Sequence, residues 1–128
     1  MKEARDETAR QAGHIAELER DVDSHPRDLE GYERLCDAYL MAHRANDALN
    51  IANQMVALAP AEPAAYEALA LVYETMDKAP EAAATWQRIV ELTPDNVEAW
   101  ERLANWRQET DDLDGAIDAY NHALRLNP

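Results

Sequence analysis

Three glutamates, Glu33, Glu67 and Glu101, stand 34 residues apart, and each directly follows an aromatic residue, Tyr32, Tyr66 or Trp100. Carboxylates repeated at one interval can form a row of negative charge that draws in a cationic partner. Candidates for covalent chemistry are scarcer. Ser24 is the only serine and Cys36 the only cysteine. Cys36 keeps step with Ala70 and Ala104, a slot for a small residue where helices approach closely, and a buried thiol without a cationic neighbour is inert. His25 adjoins Ser24, but adjacent side chains in a turn make a poor nucleophile–base pair, so the serine is read as shaping the turn before Pro26. His14, His25, His43 and His122 share no close spacing, none has a glutamate three residues before it, and neither His-Glu-x-x-His nor Cys-x-x-Cys occurs. Gly13, Gly31 and Gly115 are too far apart for a phosphate-cradling loop. The expectation is a protein that is not an enzyme, with no metal and no cofactor.

Charge narrows the partners. Twelve Lys and Arg against 26 Asp and Glu give a formal net charge of −14, which disfavours nucleic acid and anionic lipid alike. Apolar residues make up 47% of the 128, enough for one domain with a modest core, while a mean hydropathy of −0.59 suits short amphipathic helices. No apolar run approaches the roughly 18 residues of a membrane span, and the first residues lack the apolar stretch of a secretory signal. A cytoplasmic location is expected, or a periplasmic one if the chain is a piece of an anchored protein. One cysteine cannot form an internal disulfide.

The elements that must position the glutamates are written in the same interval. Pro26, Pro60, Pro94 and Pro128 recur every 34 residues. Leu35, Leu69 and Leu103 keep step with them, as do Ala48, Ala82 and Ala116, and then Leu58, Leu92 and Leu126. Within each unit the apolar residues fall three and four apart, so two helices per unit follow: first helices near 29–42, 64–76 and 97–110, second helices near 46–58, 80–92 and 114–126. Pro80 suits a first turn, where its missing N–H costs little; Asp28, and Asp95 or Asn96, suit N-caps. Ahead of the units, Ala12, Ile15, Leu18 and Val22 mark one amphipathic helix within 1–26 that covers the edge of the first unit. Its apolar pattern, about two heptads long, is too short for a coiled coil.

This pattern of aromatic, Leu, small residue, Tyr, Ala, aromatic and Pro resembles the tetratricopeptide repeat family, with residues 27–128 holding three units, 29–62, 63–96 and 97–128. The resemblance implies an all-α solenoid of about seven helices, stacked as antiparallel pairs in a right-handed superhelix, each repeat burying its apolar face on the next. Departures are local. The second aromatic, Tyr39 and Tyr73, becomes Arg107; the second-helix aromatic, Trp86 and Tyr120, is Ala52 in the first unit; and the turn glycine is replaced by His43, Asp77 and Asp111. Trp86 and Trp100 fall on core positions, whereas Trp106 lies off the pattern and reads as core, with a ligand contact as the alternative.

The resemblance also implies a concave groove lined by the first helices. Its lining maps here onto Glu33, Asp37, Leu40 and Met41 in the first unit, Glu67, Leu71 and Glu74 in the second, and Glu101, Asn105, Gln108 and Glu109 in the third. None of Glu33, Glu67 and Glu101 has a Lys or Arg four residues on, whereas Glu30 and Glu98 have Arg34 and Arg102. The family's carboxylate clamp for acidic chaperone tails is excluded, because its positions hold Glu33, Asp37, Ala68, Glu98 and Arg102, of which only Arg102 fits. The expected function is a protein-interaction scaffold whose acidic groove holds a peptide or helix carrying Lys or Arg beside apolar residues. An alternative is self-association through an apolar edge of Leu113, Ile117, Tyr120 and Leu124. A second is an apocytochrome chaperone, since Asp28 to Leu35 resembles the repeat entry of cytochrome c maturation proteins.

Overall fold

The computed structural model describes residues 2–128, so Met1, the first residue of the 1–26 segment, lies outside the described residues. The described residues form seven helices and no strand: α1 (Lys2–Ser24), α2 (Leu29–Met41), α3 (Ala45–Leu58), α4 (Pro63–Thr75), α5 (Ala79–Leu92), α6 (Val97–Glu109) and α7 (Leu113–Leu126). Every helix packs on the next in sequence, and α2 also touches α4. The chain is an all-α solenoid of helical hairpins, with α1 laid against α2. No described helix is long and apolar enough to cross a membrane.

The interval of the sequence is visible as hydrogen bonds. Tyr32 Oη donates to the Pro26 carbonyl at 2.8 Å, Tyr66 Oη to that of Pro60 at 2.8 Å, and Trp100 Nε1 to that of Pro94 at 2.8 Å. Each aromatic therefore ties its own first helix to the proline that closes the preceding unit. Between the two helices of each hairpin, His43, Asp77 and Asp111 take left-handed backbone angles, with φ of 60°, 53° and 61°. Such angles cost an L-residue about 1–2 kcal/mol. Two closing hydrogen bonds offset that cost, as in Arg44 N–H to Tyr39 O at 2.8 Å and His43 N–H to Leu40 O at 3.1 Å. The missing glycines thus leave the register intact.

Capping is less uniform. Asn96 caps α6 by accepting from the Ala99 N–H at 3.1 Å, but Asp28 stands at the start of α2 without such a bond. Asp112, which the sequence did not single out, caps α7 by accepting from the Gly115 N–H at 3.0 Å. A Cβ at Gly115 would lie 2.2 Å from an oxygen of that cap, so a larger residue there would displace the Asp112 side chain.

The core divides into two clusters, one over α1 to α4 and one over α4 to α7. Leu35, Met55, Ile89 and Leu103 are fully buried, each contributing about 1.5–3 kcal/mol through burial. In α1, Ile15, Leu18 and Val22 are buried, but Ala12 is exposed, so only the second half of that helix packs. Arg107, standing where an aromatic was expected, donates to Gly115 O at 2.9 Å and to the side-chain oxygen of Gln87, joining three helices by polar contacts instead.

Candidate functional site

The first helices of the hairpins line the inner side of the stack. Across α3, the Cα atoms of α2 and α4 come within 8 Å, while the second helices α3 and α5, or α5 and α7, do not approach one another so closely. The two inner junctions nevertheless differ. Between α2 and α4 the facing positions are Leu40, Ala52, Ala68 and Val72; 34 residues later they are Glu74, Trp86, Arg102 and Trp106. With these larger side chains in between, no Cα of α6 lies within 8 Å of α4.

Glu74 organises the wider junction. Its Oε2 accepts from Trp86 Nε1 at 3.1 Å and from Trp106 Nε1 at 2.6 Å. Arg102 Nη1 donates to Oε1 at 3.0 Å and to Oε2 at 3.2 Å, its Nη2 reaches Glu98 Oε1 at 3.3 Å, and its guanidinium lies 5.5 Å from the centre of the Trp86 ring. The Glu74 side chain is only 13% exposed, and these donors replace the water it has lost. A brace of one carboxylate, two indoles and one guanidinium joins α4, α5 and α6.

The remaining groove residues divide accordingly. Glu67 and Leu71 line a cavity of about 210 Å³ that also contacts Glu74, Trp86 and Glu98. A wider cavity of about 580 Å³ gathers Glu74, Asn105, Gln108 and Glu109 with Asp77, Arg102 and Trp106. Glu101 faces a separate cavity of about 410 Å³ with Asn105, Tyr120 and Leu124, so the structure does not put all three ladder glutamates in one pocket. Asn105 Oδ1 accepts from the Tyr120 hydroxyl. On α2, Glu33 and Asp37 are exposed and Leu40 is half-buried against the core. Met41, 73% exposed, lines a cavity shared with Ile15 and His14 of α1.

Among the described residues Glu33, Glu67 and Glu101 form no ion pair, whereas Glu30 and Glu98 pair with Arg34 at 3.4 Å and Arg102 at 3.3 Å. Glu67 is exposed, yet partial desolvation by the surrounding protein pushes its carboxyl above its ordinary value, and repulsion from Glu98, Glu33 and Glu62 adds to it. Partial desolvation pushes the exposed Asp37 up as well. Cys36 is buried, its thiol pushed up to about 12 by burial and then by Asp37 and Glu33, so it stays protonated and unreactive at neutral pH. No cluster of three His, Cys, Asp or Glu suited to a metal ion occurs among the described residues.

Residues 63–106, which span α4, α5 and most of α6, match the tetratricopeptide repeat model. The fold is a tetratricopeptide-repeat solenoid. Solved structures bear this out. "Crystal structure of MamA" superposes with a TM-score of 0.79 at 23% identity, over 92% of this chain and 69% of that one. "MamA 41-end from Desulfovibrio magneticus RS-1" gives 0.77 at 20% identity, over 92% of this chain and 67% of that one. At such identities the likeness establishes the fold alone. No curated protein matches the chain in sequence. The matched tetratricopeptide repeat supports a protein-interaction or scaffold role.

Sequence reasoning named Glu74 as part of an acidic lining, but Arg102 and the two indoles already satisfy it. It did not place Trp86, Arg102 and Trp106 in the groove. The available signals were Trp106, off the repeat pattern, and Arg102, the one residue that fits the clamp. Within Asp28 to Leu35, Tyr32 binds the Pro26 carbonyl and Leu35 is fully buried, so those two residues serve the repeat scaffold.

Proposed function

We propose that this chain is a non-enzymatic interaction module that holds a peptide or helix on the inner side of α2, α4 and α6, and that the ligand carries Lys or Arg beside apolar residues. The observation that carries this reading is the unpaired state of the exposed Glu33 and Glu67 beside an exposed Leu71, with Glu67 facing the carboxylates of Glu98, Glu33 and Glu62. A cation placed there relieves that repulsion, which a neutral or acidic ligand cannot do. Apolar burial on Leu71 supplies most of the affinity, and charge supplies on-rate and selectivity. A short peptide is expected to bind with a Kd on the order of 1 μM, about −8 kcal/mol.

The test is a titration of a peptide rich in Arg and Leu across a range of salt. Replacing all three ladder residues, Glu33→Lys, Glu67→Lys and Glu101→Lys, is expected to weaken binding at least tenfold at low salt and to flatten its salt dependence. Equal affinity and an equal salt slope in the triple variant would remove the groove from the account.

A second reading rests on α7, where Leu113, Ile117 and Leu124 are each 58–59% exposed along one helix. It makes the chain an assembly unit that pairs through this edge. Light scattering over a dilution series separates the two, since a monomer at every concentration opposes assembly.

A further inference from the structure

The wider inner junction contains one arginine already seated in protein. The Arg102 guanidinium lies near the Trp86 ring, at 5.5 Å, and bonds two carboxylates, Glu74 and Glu98, within 3.3 Å. Beside it the same combination recurs without a cation of the chain's own. Trp106 lines the 580 Å³ cavity together with Asp77 and Glu109, and among the described residues neither carboxylate forms an ion pair. The bond from Trp106 Nε1 to Glu74 fixes that indole in place, and the ring is only half-buried. Around this cavity Glu74, Asp77 and Glu109 carry three negative charges against the single positive charge of Arg102.

We propose that the cavity against Trp106 seats one arginine side chain of the ligand, its guanidinium over the indole and forked toward Asp77 and Glu109. This rests on the groove reading above and names the anchor within it. Arginine fits better than lysine because a planar guanidinium stacks on an aromatic face while it binds carboxylates through its edge, as a compact ammonium cannot. Among the described residues the seat occurs once. In the preceding unit Trp106, Asp77 and Glu109 correspond to Val72, His43 and Thr75, of which Val72 is fully buried.

The probe is L-argininamide, titrated into the full chain while the three indole N–H signals are followed by nuclear magnetic resonance, with the neutral amide of citrulline as control. The Trp106 signal is assigned by its loss in Trp106→Phe. Argininamide is expected to shift that signal saturably, and the citrulline amide is not. Asp77→Asn with Glu109→Gln is expected to weaken argininamide about fivefold, a loss on the scale of one exposed cation–π or charge contact. Both changes are at exposed positions, and Asn tolerates the left-handed φ of 53° at residue 77, so the fold is retained. Equal response to the neutral analogue, an unmoved Trp106 signal, or an unweakened double variant overturns the seat. If argininamide fails while the Arg-rich peptide still depends on Glu33, Glu67 and Glu101, the seat falls and the groove stands. If argininamide binds at Trp106 but the triple variant holds the peptide as before, the groove falls and the seat stands.

Discussion

The two inner junctions of this solenoid are built on one plan and end up with different chemistry. Between α2 and α4, Leu40, Ala52, Ala68 and Val72 let the helices close up; Ala52 and Val72 are fully buried, and the glutamates nearby have no partner. Between α4 and α6, Trp86, Arg102 and Trp106 meet on Glu74, the helices stand further apart, and a cavity of about 580 Å³ opens. A repeat scaffold fixes where helices start and stop. The four side chains at each junction decide whether the space becomes a closed apolar contact or an open polar pocket. The narrow junction is closed and apolar, and the wide junction is open and polar, with Glu74 at its centre already paired and Asp77, Glu109 and Glu67 around it unpaired among the described residues.

The largest test exchanges the spacers. Trp86 is buried and bonded to Glu74, so Trp86→Ala is expected to cost about 3–4 kcal/mol, from a lost ring and from a brace missing one donor. The reciprocal change, Ala52→Trp, puts the same ring into the closed junction and is expected to destabilise by about 1–3 kcal/mol through overpacking. Chemical denaturation measures both. If Ala52→Trp stabilised the fold, the two junctions would be equally able to take the larger spacer and the contrast would fail.

A smaller effect probes the unpaired charge of Glu67, beside the wide junction. The carboxyl of Glu67 is raised in the folded state, mainly by partial desolvation and then by Glu98, Glu33 and Glu62. A raised acid binds its proton more readily when folded, so its ionisation weakens the fold as pH rises through that raised value. The penalty is relieved as pH falls toward the ordinary value of 4.5. Glu67→Gln is therefore expected to match or exceed the parent in stability at pH 7, within about 0.5 kcal/mol, and to lose that advantage near pH 4.5. Thermal melts of both proteins at the two pH values check the sign. A parent more stable than Glu67→Gln at pH 7 would mean the residue has a partner after all.

The architecture was legible in the sequence because it depends on residues that act alike in every unit. The aromatic six places after each proline binds that proline's carbonyl in all three hairpins, so its spacing carries a geometric cause. Helix limits fell within a residue of the structure for the same reason. The groove was less legible because its character lies in what the units do not share. The ion pairs of Glu30 and Glu98 follow from local spacing of four, which a sequence displays. The Arg102–Glu74 pair joins residues 28 apart, and Trp106 reaches Glu74 across 32, contacts that exist only once α4 and α6 are packed. Counting Glu74 as free acid overlooked that pairing. Ala12 shows the converse: its spacing matched an apolar face, but it lies exposed with Ala4, Thr8 and Ala9, off the side where α2 meets α1.

The measurement that bears most directly on the whole account is a map of amide and indole shifts with two peptides that share their apolar residues and differ only in charge, one bearing Arg and one bearing Glu. The account predicts that the Arg peptide perturbs Glu67, Leu71 and the Trp106 indole on the inner side, leaves the outer surfaces of α3 and α5 still, and that the Glu peptide does neither. Perturbation confined to the outer helices, or an equal response to the Glu peptide, would contradict it.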